Sequence, residues 1–202
     1  SPETHLEGLL HRVAQKNFHG MEQRLPMPYP ILWEIKKEEI LTRLKKFVAW
    51  DLLHLEQTGY VPTYLEKEVR LPLADITPGY APTFGMEEDA PAITFKGKID
   101  RIDIKYEKEG GDICFRVIDY KTGKPPQDNL TKSAIRGQKL QLPFYIAMTK
   151  RLLAEEIGRK LLHQGITNLD EAVFLYLMQQ TDDGAGQETI LEKAIKGDDC
   201  EK

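Results

Sequence analysis

The sequence predicts an α/β sandwich built on a mixed central sheet. Two helical stretches precede three strand-like runs, then a long helical segment and a final apolar strand follow. The 202 residues are enough for one sizeable domain, and 41% hydrophobic content can fill its core. Two short stretches mark the functional end: Gly97-Lys98-Ile99-Asp100 and Val117-Ile118-Asp119-Tyr120-Lys121-Thr122-Gly123. Each brings a carboxylate to an apolar run, and the second adds a lysine two residues on.

The first helix opens at Ser1-Pro2-Glu3, an N-cap, a proline at the first helical position and an acid in the first turn. Thr4 with Glu7 is the alternative cap, as a capping box. Leu6, Leu9, Leu10 and Val13 recur at helical spacing, so a short amphipathic helix carries His11. A proline-rich connector, Leu25 to Pro30, separates it from a stronger helix over Lys36–Gln57. That helix turns Ile40, Leu41, Leu44, Val48, Leu52 and Leu55 inward and stops at Gly59. Tyr64–Leu73 alternates as a strand, with Leu65, Val69, Leu71 and Leu73 on one side. Asp75–Pro91, with Pro, Gly and the run Glu87-Glu88-Asp89, is a long exposed loop, either padding or a flap facing substrate.

Thr94–Tyr106 and Ile113–Tyr120 are strands joined by a hairpin signal, Lys108-Glu109-Gly110-Gly111-Asp112. Gly123–Thr131 is loop. A helix is expected from Ala134 to about His163, with Pro143 either kinking it or marking its true start. Ala172–Met178 is a last apolar strand. Thr181–Lys202 is polar, with a short helix expected around Leu191–Ile195.

Alternation places side chains i and i+2 on one strand face. Asp119 and Lys121 therefore share a face with Ile113, Phe115 and Val117, and Asp100 shares one with Ile102, Ile104 and Tyr106. Carboxylates beside an apolar face are costly to bury unless a hard cation offsets their charge. A lysine on the same face can hold a water or a phosphate oxygen. That set suits phosphodiester hydrolysis, which needs a nucleophilic water and stabilisation of an electron-rich phosphorus. Arg101 and Asp103 fall on the opposite face, where a local ion pair of little worth is expected.

Composition narrows the classes. No apolar run nears the roughly 20 residues that span a bilayer, and no signal peptide opens the chain. Cys114 and Cys200 are too few for a disulfide framework or a cysteine-ligated metal centre, which favours a reducing, cytoplasmic setting. The Ser-Pro start suggests a domain cut from a longer protein. A net charge of −4 argues mildly against a general nucleic-acid binder, but Tyr120–Leu140 carries Lys121, Lys124, Lys132, Arg136 and Lys139 against Asp128 alone. Such a stretch either guides a phosphate backbone or is a solvated face.

The run Gly97-Lys98-Ile99-Asp100-Arg101-Ile102-Asp103, then Val117 to Gly123, then Gln141-Leu142-Pro143-Phe144-Tyr145 resembles the PD-(D/E)XK nuclease superfamily. Within it the sequence is most similar to RecB-like nuclease domains of the RecB and AddB type. Gly8-Leu9-Leu10-His11 resembles that group's N-terminal Gly-x-x-His element, and Glu68 falls where a strand glutamate often stands, with Glu66 close by. The resemblance implies a restriction-endonuclease-like core, a mixed central β-sheet flanked by helices, over residues 1–180, followed by a polar tail at 181–202. It implies metal binding by His11, Asp100, Asp119 and the backbone carbonyl of Tyr120, with Mg²⁺ or Mn²⁺ as cofactor. Lys121 would position or help deprotonate the attacking water. Gln141 and Tyr145 would steady the site or contact the DNA backbone, Glu68 would be accessory, and Lys124, Lys132, Arg136 and Lys139 would contact DNA.

The activity implied is that of a metal-dependent DNA nuclease, hydrolysing phosphodiesters with metal-activated water. It would be the exonuclease domain of a helicase–nuclease or of a DNA repair or recombination protein. Two features depart from AddB-type relatives or limit the segment. Two scattered cysteines cannot hold an iron–sulfur cluster, so none is expected. No phosphate-binding loop of the Gly-x-x-x-x-Gly-Lys type is present, so a helicase motor is expected elsewhere in the full-length chain or on a partner. The competing expectations are a catalytically silent DNA-binding scaffold of a repair complex and a small-molecule metal hydrolase with a closed pocket. Trp33 and Trp50 read as packing residues, and His5, His19, His54 and His163 form no metal spacing.

Overall fold

The computed structural model describes residues 2–72, 93–106, 113–122, 129–160, 167–180 and 188–196. The loop expected at Asp75–Pro91, the hairpin turn at Lys108–Asp112 and Lys124 lie outside them. The chain divides into two compact units, Ser1–Thr58 and Gly59–Lys202.

The first unit holds α1 (Pro2–Arg24) and α2 (Pro30–Thr58). Helix α1 runs well past the short helix expected, because Ala14 and Phe18 continue the i, i+4 apolar row from Leu10 and both are buried. Helix α2 begins six residues before Lys36, with Pro30 at its first position, where its missing N–H costs nothing. Phe18 meets Trp33 edge-on, with ring centroids 5.8 Å apart, and Glu22 accepts from Trp33 Nε1 at 2.6 Å and pairs with Lys37 at 2.9 Å. Gly59, at φ +74°, ends α2 in the left-handed region that glycine tolerates. Among the described residues no helix is long and apolar enough to cross a membrane.

The second unit is a five-stranded sheet in the order β1-β2-β3-β4-β5. Its strands are β1 (Val61–Pro72), β2 (Thr94–Tyr106), β3 (Ile113–Lys121), β4 (Thr167–Gln180) and β5 (Glu188–Lys196). Only β3 and β4 pair in parallel, so the sheet is mixed. A parallel neighbour requires a crossover, and α3 (Leu130–Ile135) and α4 (Gln141–Lys160) lie between those strands in the chain. The core forms where α4 meets the sheet: Leu142, Ile146, Met148 and Leu153 pack with Ile102, Ile104, Phe115, Val117, Ala172 and Phe174.

Several expected elements change. The single helix from Ala134 is two. Gly137, at φ +72°, closes α3: its N–H bonds the Ala134 carbonyl, and the Gln138 N–H bonds the Ser133 carbonyl, the paired bonds of a Schellman motif. Lys139, also at positive φ (+52°), completes the turn. Helix α4 then starts at Gln141, so Pro143 lies in its first turn and kinks nothing. In β1, Leu65 is exposed while Tyr64 packs on the core, because Glu66 at φ +54° interrupts the alternation that would have grouped Leu65 with Val69 and Leu71. The segment around Leu191–Ile195, expected as a short helix in a polar tail, is strand β5. It pairs with β4 and buries Ile195 opposite Ala172.

Arg101 and Asp103 are a further correction. They do lie on the face opposite Ile102 and Ile104, but that face is covered too. Their side chains are 4% and 0% exposed, and Arg101 Nε and Nη2 grip both Asp103 oxygens at 2.6 and 2.7 Å. A bidentate pair out of water is far harder to break than a surface pair. On the same face Arg116 pairs with Glu171 at 2.5 Å, Lys196 reaches the other Glu171 oxygen, and the Arg116 guanidinium lies 5.6 Å from the Tyr60 ring centroid.

Candidate active site

Strands β2 and β3 part company at the two predicted carboxylates. Their ladder runs from Tyr106↔Ile113 to Arg101↔Ile118 and stops there, while β2 stays paired with β1 as far as Thr94. Beyond the last pair, the Tyr120 backbone N–H donates to Asp100 Oδ2 at 2.9 Å. A side chain thus takes over where main-chain pairing ends, satisfying a donor that would otherwise be left over.

Asp119 is 3% exposed and Lys121 is half-buried beside it. The Lys121 ammonium lies against Asp119 Oδ2, which has no aligned hydrogen-bond donor. Gln141, the first residue of α4, ties the pair together. Its Nε2 donates to Asp119 Oδ1 at 2.7 Å and to the Tyr145 hydroxyl at 3.1 Å, while its Oε1 accepts from Lys121 Nζ at 3.0 Å. A carboxylate needs a donor and an ammonium needs an acceptor, so these neighbours fix the orientation of the amide. Tyr145, one turn on, passes the proton pattern to the strand: its hydroxyl donates to the Lys98 carbonyl at 2.8 Å. The Tyr145 ring fits because residue 97 is glycine, where a Cβ would stand 3.1 Å from Tyr145 Cε1 and 2.9 Å from Met148 Sδ.

The Asp119 carboxyl is pushed above the usual carboxylate range. Burial is the largest cause; the Lys121 ammonium opposes it, Asp100's charge adds to it, and the Gln141 hydrogen bond opposes it. One ammonium therefore does not offset the cost of holding this anion out of water beside a second one. A divalent cation would, and the hard carboxylate oxygens of Asp100 and Asp119 are of the kind that Mg²⁺ or Mn²⁺ takes.

The remaining predicted residues are distributed more widely. His11 is exposed on α1 and belongs to the other compact unit. Among the described residues no three His, Cys, Asp or Glu side chains are gathered into a metal site. Glu68 is exposed on β1, 3.9 Å from Lys96, and Glu66 pairs with Lys98. Lys132 is exposed on α3, and Arg136 and Lys139 are exposed in the turn that leads into Gln141.

Two neighbours of the site had no signal in the motifs. Phe174 on β4 is registered against Asp119, and Tyr176 against Lys121. Lys121 Nζ stands 4.9 Å from the Phe174 ring centroid. The Tyr176 hydroxyl is pushed up by burial and then by the negative charge of Asp119. Both lay in a run legible only as an apolar strand, and nothing local says which strand it will flank.

The sequence model of the PD-(D/E)XK nuclease superfamily matches residues 3–197. No curated protein matches the chain.

Proposed function

Because the chain belongs to the PD-(D/E)XK nuclease superfamily, we propose that it is a divalent-metal-dependent deoxyribonuclease acting at the Asp100–Asp119–Lys121 cluster, a RecB-like exonuclease domain served by a helicase motor. One observation carries the site: Gln141 bonds Asp119 and Lys121 at once, so the carboxylate and the ammonium are held together on one sheet face. The Gly-x-x-His element ending at His11 and the Gln141/Tyr145 pair support the RecB-like subtype and the further metal ligand His11.

Asp100, Asp119 and the Tyr120 carbonyl would hold a divalent cation, with His11 assigned as a further ligand on its Gly-x-x-His motif alone, and the cation would supply Lewis-acid polarisation of the scissile phosphate. The chain's own residues do the rest. Lys121 Nζ, engaged by Gln141 and set against Asp119, would turn its remaining donor toward a water or a phosphate oxygen, orienting the nucleophile for in-line attack. Water adds to phosphorus as the bond to the 3′ oxygen breaks, leaving a 5′-phosphate and a 3′-hydroxyl. Tyr145 and Gln141 keep Asp119 from turning toward solvent. Lys124, Lys132, Arg136 and Lys139 are assigned to the DNA backbone, where they position the strand without reading sequence.

End-labelled linear single- and double-stranded DNA, incubated with Mg²⁺ or Mn²⁺ or with EDTA, tests this. Metal-dependent cleavage abolished in Asp119→Ala and Lys121→Ala is the expected result. Absence of both cleavage and metal binding in the native protein would favour a DNA-gripping scaffold instead.

A further inference from the structure

We propose that Phe174 is a positioning residue for Lys121, its ring face holding the ammonium over the site; this rests on the catalytic role given to Lys121 above. Lys121 has three kinds of contact: the Asp119 carboxylate, the Gln141 carbonyl oxygen at 3.0 Å, and the Phe174 ring at 4.9 Å. The first is the strongest and the least dependable. Any cation bound at Asp119 competes for the oxygens that the ammonium uses. The Gln141 bond remains, but one acceptor leaves a four-carbon side chain free to pivot about it. A ring face is a second, independent fixed point. It attracts the ammonium through its quadrupole without taking up a hydrogen-bond donor, so the N–H groups stay available to water or phosphate.

Phe174 suits that task because it cannot move away. It is 6% exposed, belongs to the main core cluster and meets Tyr176 edge-on at 6.5 Å and 76°. Its position opposite Asp119 in the parallel ladder is set by main-chain pairing. An aliphatic residue there would keep the site apolar but offer no quadrupole. The aromatic identity, rather than the bulk, is therefore the inferred requirement.

The test compares the native protein with Phe174→Leu, Phe174→Tyr and a series bearing one, two or three fluorines on the Phe174 ring, which weaken the ring's negative face at nearly constant shape. Single-turnover cleavage, KM and the NMR shifts of the Lys121 Cε protons in metal-free protein are measured. Phe174→Leu should slow the chemical step about 5- to 30-fold with KM within about twofold, Phe174→Tyr should restore it, and the rate should fall with each added fluorine. The Lys121 Cε protons should be shifted upfield by the ring, and Phe174→Leu should abolish that shift. Lys121-dependent cleavage indifferent to fluorination would overturn the inference, as would Cε shifts unaffected by Phe174→Leu. If the native protein leaves DNA intact and binds no metal yet the upfield shift is present, the nuclease reading fails while the contact between ring and ammonium stands.

Discussion

Gly97→Ala isolates the fit between strand β2 and helix α4. Gly97 does not have a positive φ, so alanine is compatible with the backbone and the effect is steric. In an open strand the change would stabilise by about 0.5–1 kcal/mol through the entropy of the unfolded chain. Here the new methyl stands 2.9 Å from Met148 Sδ, 3.1 Å from Tyr145 Cε1 and 3.3 Å from Met148 Cε. Overpacking of a filled core costs about 1–3 kcal/mol, so the steric term wins and a net loss of about 1–2 kcal/mol is expected, or roughly 2–8 °C in Tm. Met148 can swing its thioether, but Tyr145 is tethered at its hydroxyl to Lys98 and Gln141 and must give up one tether to move. Cleavage should fall about 2- to 10-fold, the worth of one hydrogen bond. Thermal melts and single-turnover assays of Gly97→Ala, Tyr145→Phe, Met148→Ala and the Gly97→Ala/Met148→Ala double variant separate the two effects. Tyr145→Phe should share the catalytic loss with a smaller drop in Tm, and the double variant should lose less stability than its parts summed. A Gly97→Ala protein as stable and active as the native one would refute this account.

Asp103→Ala should cost about 3–5 kcal/mol in urea unfolding, because it strands a buried guanidinium, while Arg101→Met/Asp103→Ala should cost much less. Asp119→Asn should stabilise the metal-free protein at pH 7 by about 1 kcal/mol. The folded state raises the Asp119 pKa, so its proton is held more tightly folded than unfolded. That contribution is full below the ordinary carboxylate range and is lost as pH rises through the elevated value. Urea melts in EDTA across that range should show the decline in the native protein and a shallower one in Asp119→Asn; Mg²⁺ should raise the stability of the native protein alone. Lys132→Ala and Arg136→Ala should each reduce the slope of log Kd for DNA against log salt by about 1; unchanged slopes would remove those residues from the phosphate path.

Legibility in the sequence followed the range of the information. Asp119 and Lys121 share a face because alternation is local, and the two strands of the hairpin could be placed against each other because the connection is short. Gln141 and Tyr145 stood out as a motif, and their i, i+4 spacing foretold that they would meet. Gly137 carried the break between α3 and α4 in plain view, but a helix stop is easily overrun when apolar residues continue on both sides. Leu191 and Ile195, four apart, imitate a helical face, and only the open edge of β4 makes a strand of them. Phe174 was beyond reach for a similar reason, since parallel register depends on a crossover that leaves no local trace.

The buried pairs on the far face of the sheet bear on the site through Tyr120. Arg101, while gripping Asp103, also donates from Nη1 to the Tyr120 hydroxyl at 3.2 Å. Tyr120 sits between Asp119 and Lys121, and its own N–H holds Asp100. One residue therefore has its side chain anchored on the far face and its backbone engaged on the active face. Burial and then the neighbouring Asp100 charge push the Asp119 carboxyl up at that corner. The Arg101–Asp103 pair on β2 and the Arg116–Glu171 pair between β3 and β4 lie on that far face. The two faces of the sheet therefore hold charge differently: Lys121 lies against Asp119 on one, and Arg101 ties Asp103 and the Tyr120 hydroxyl together on the other.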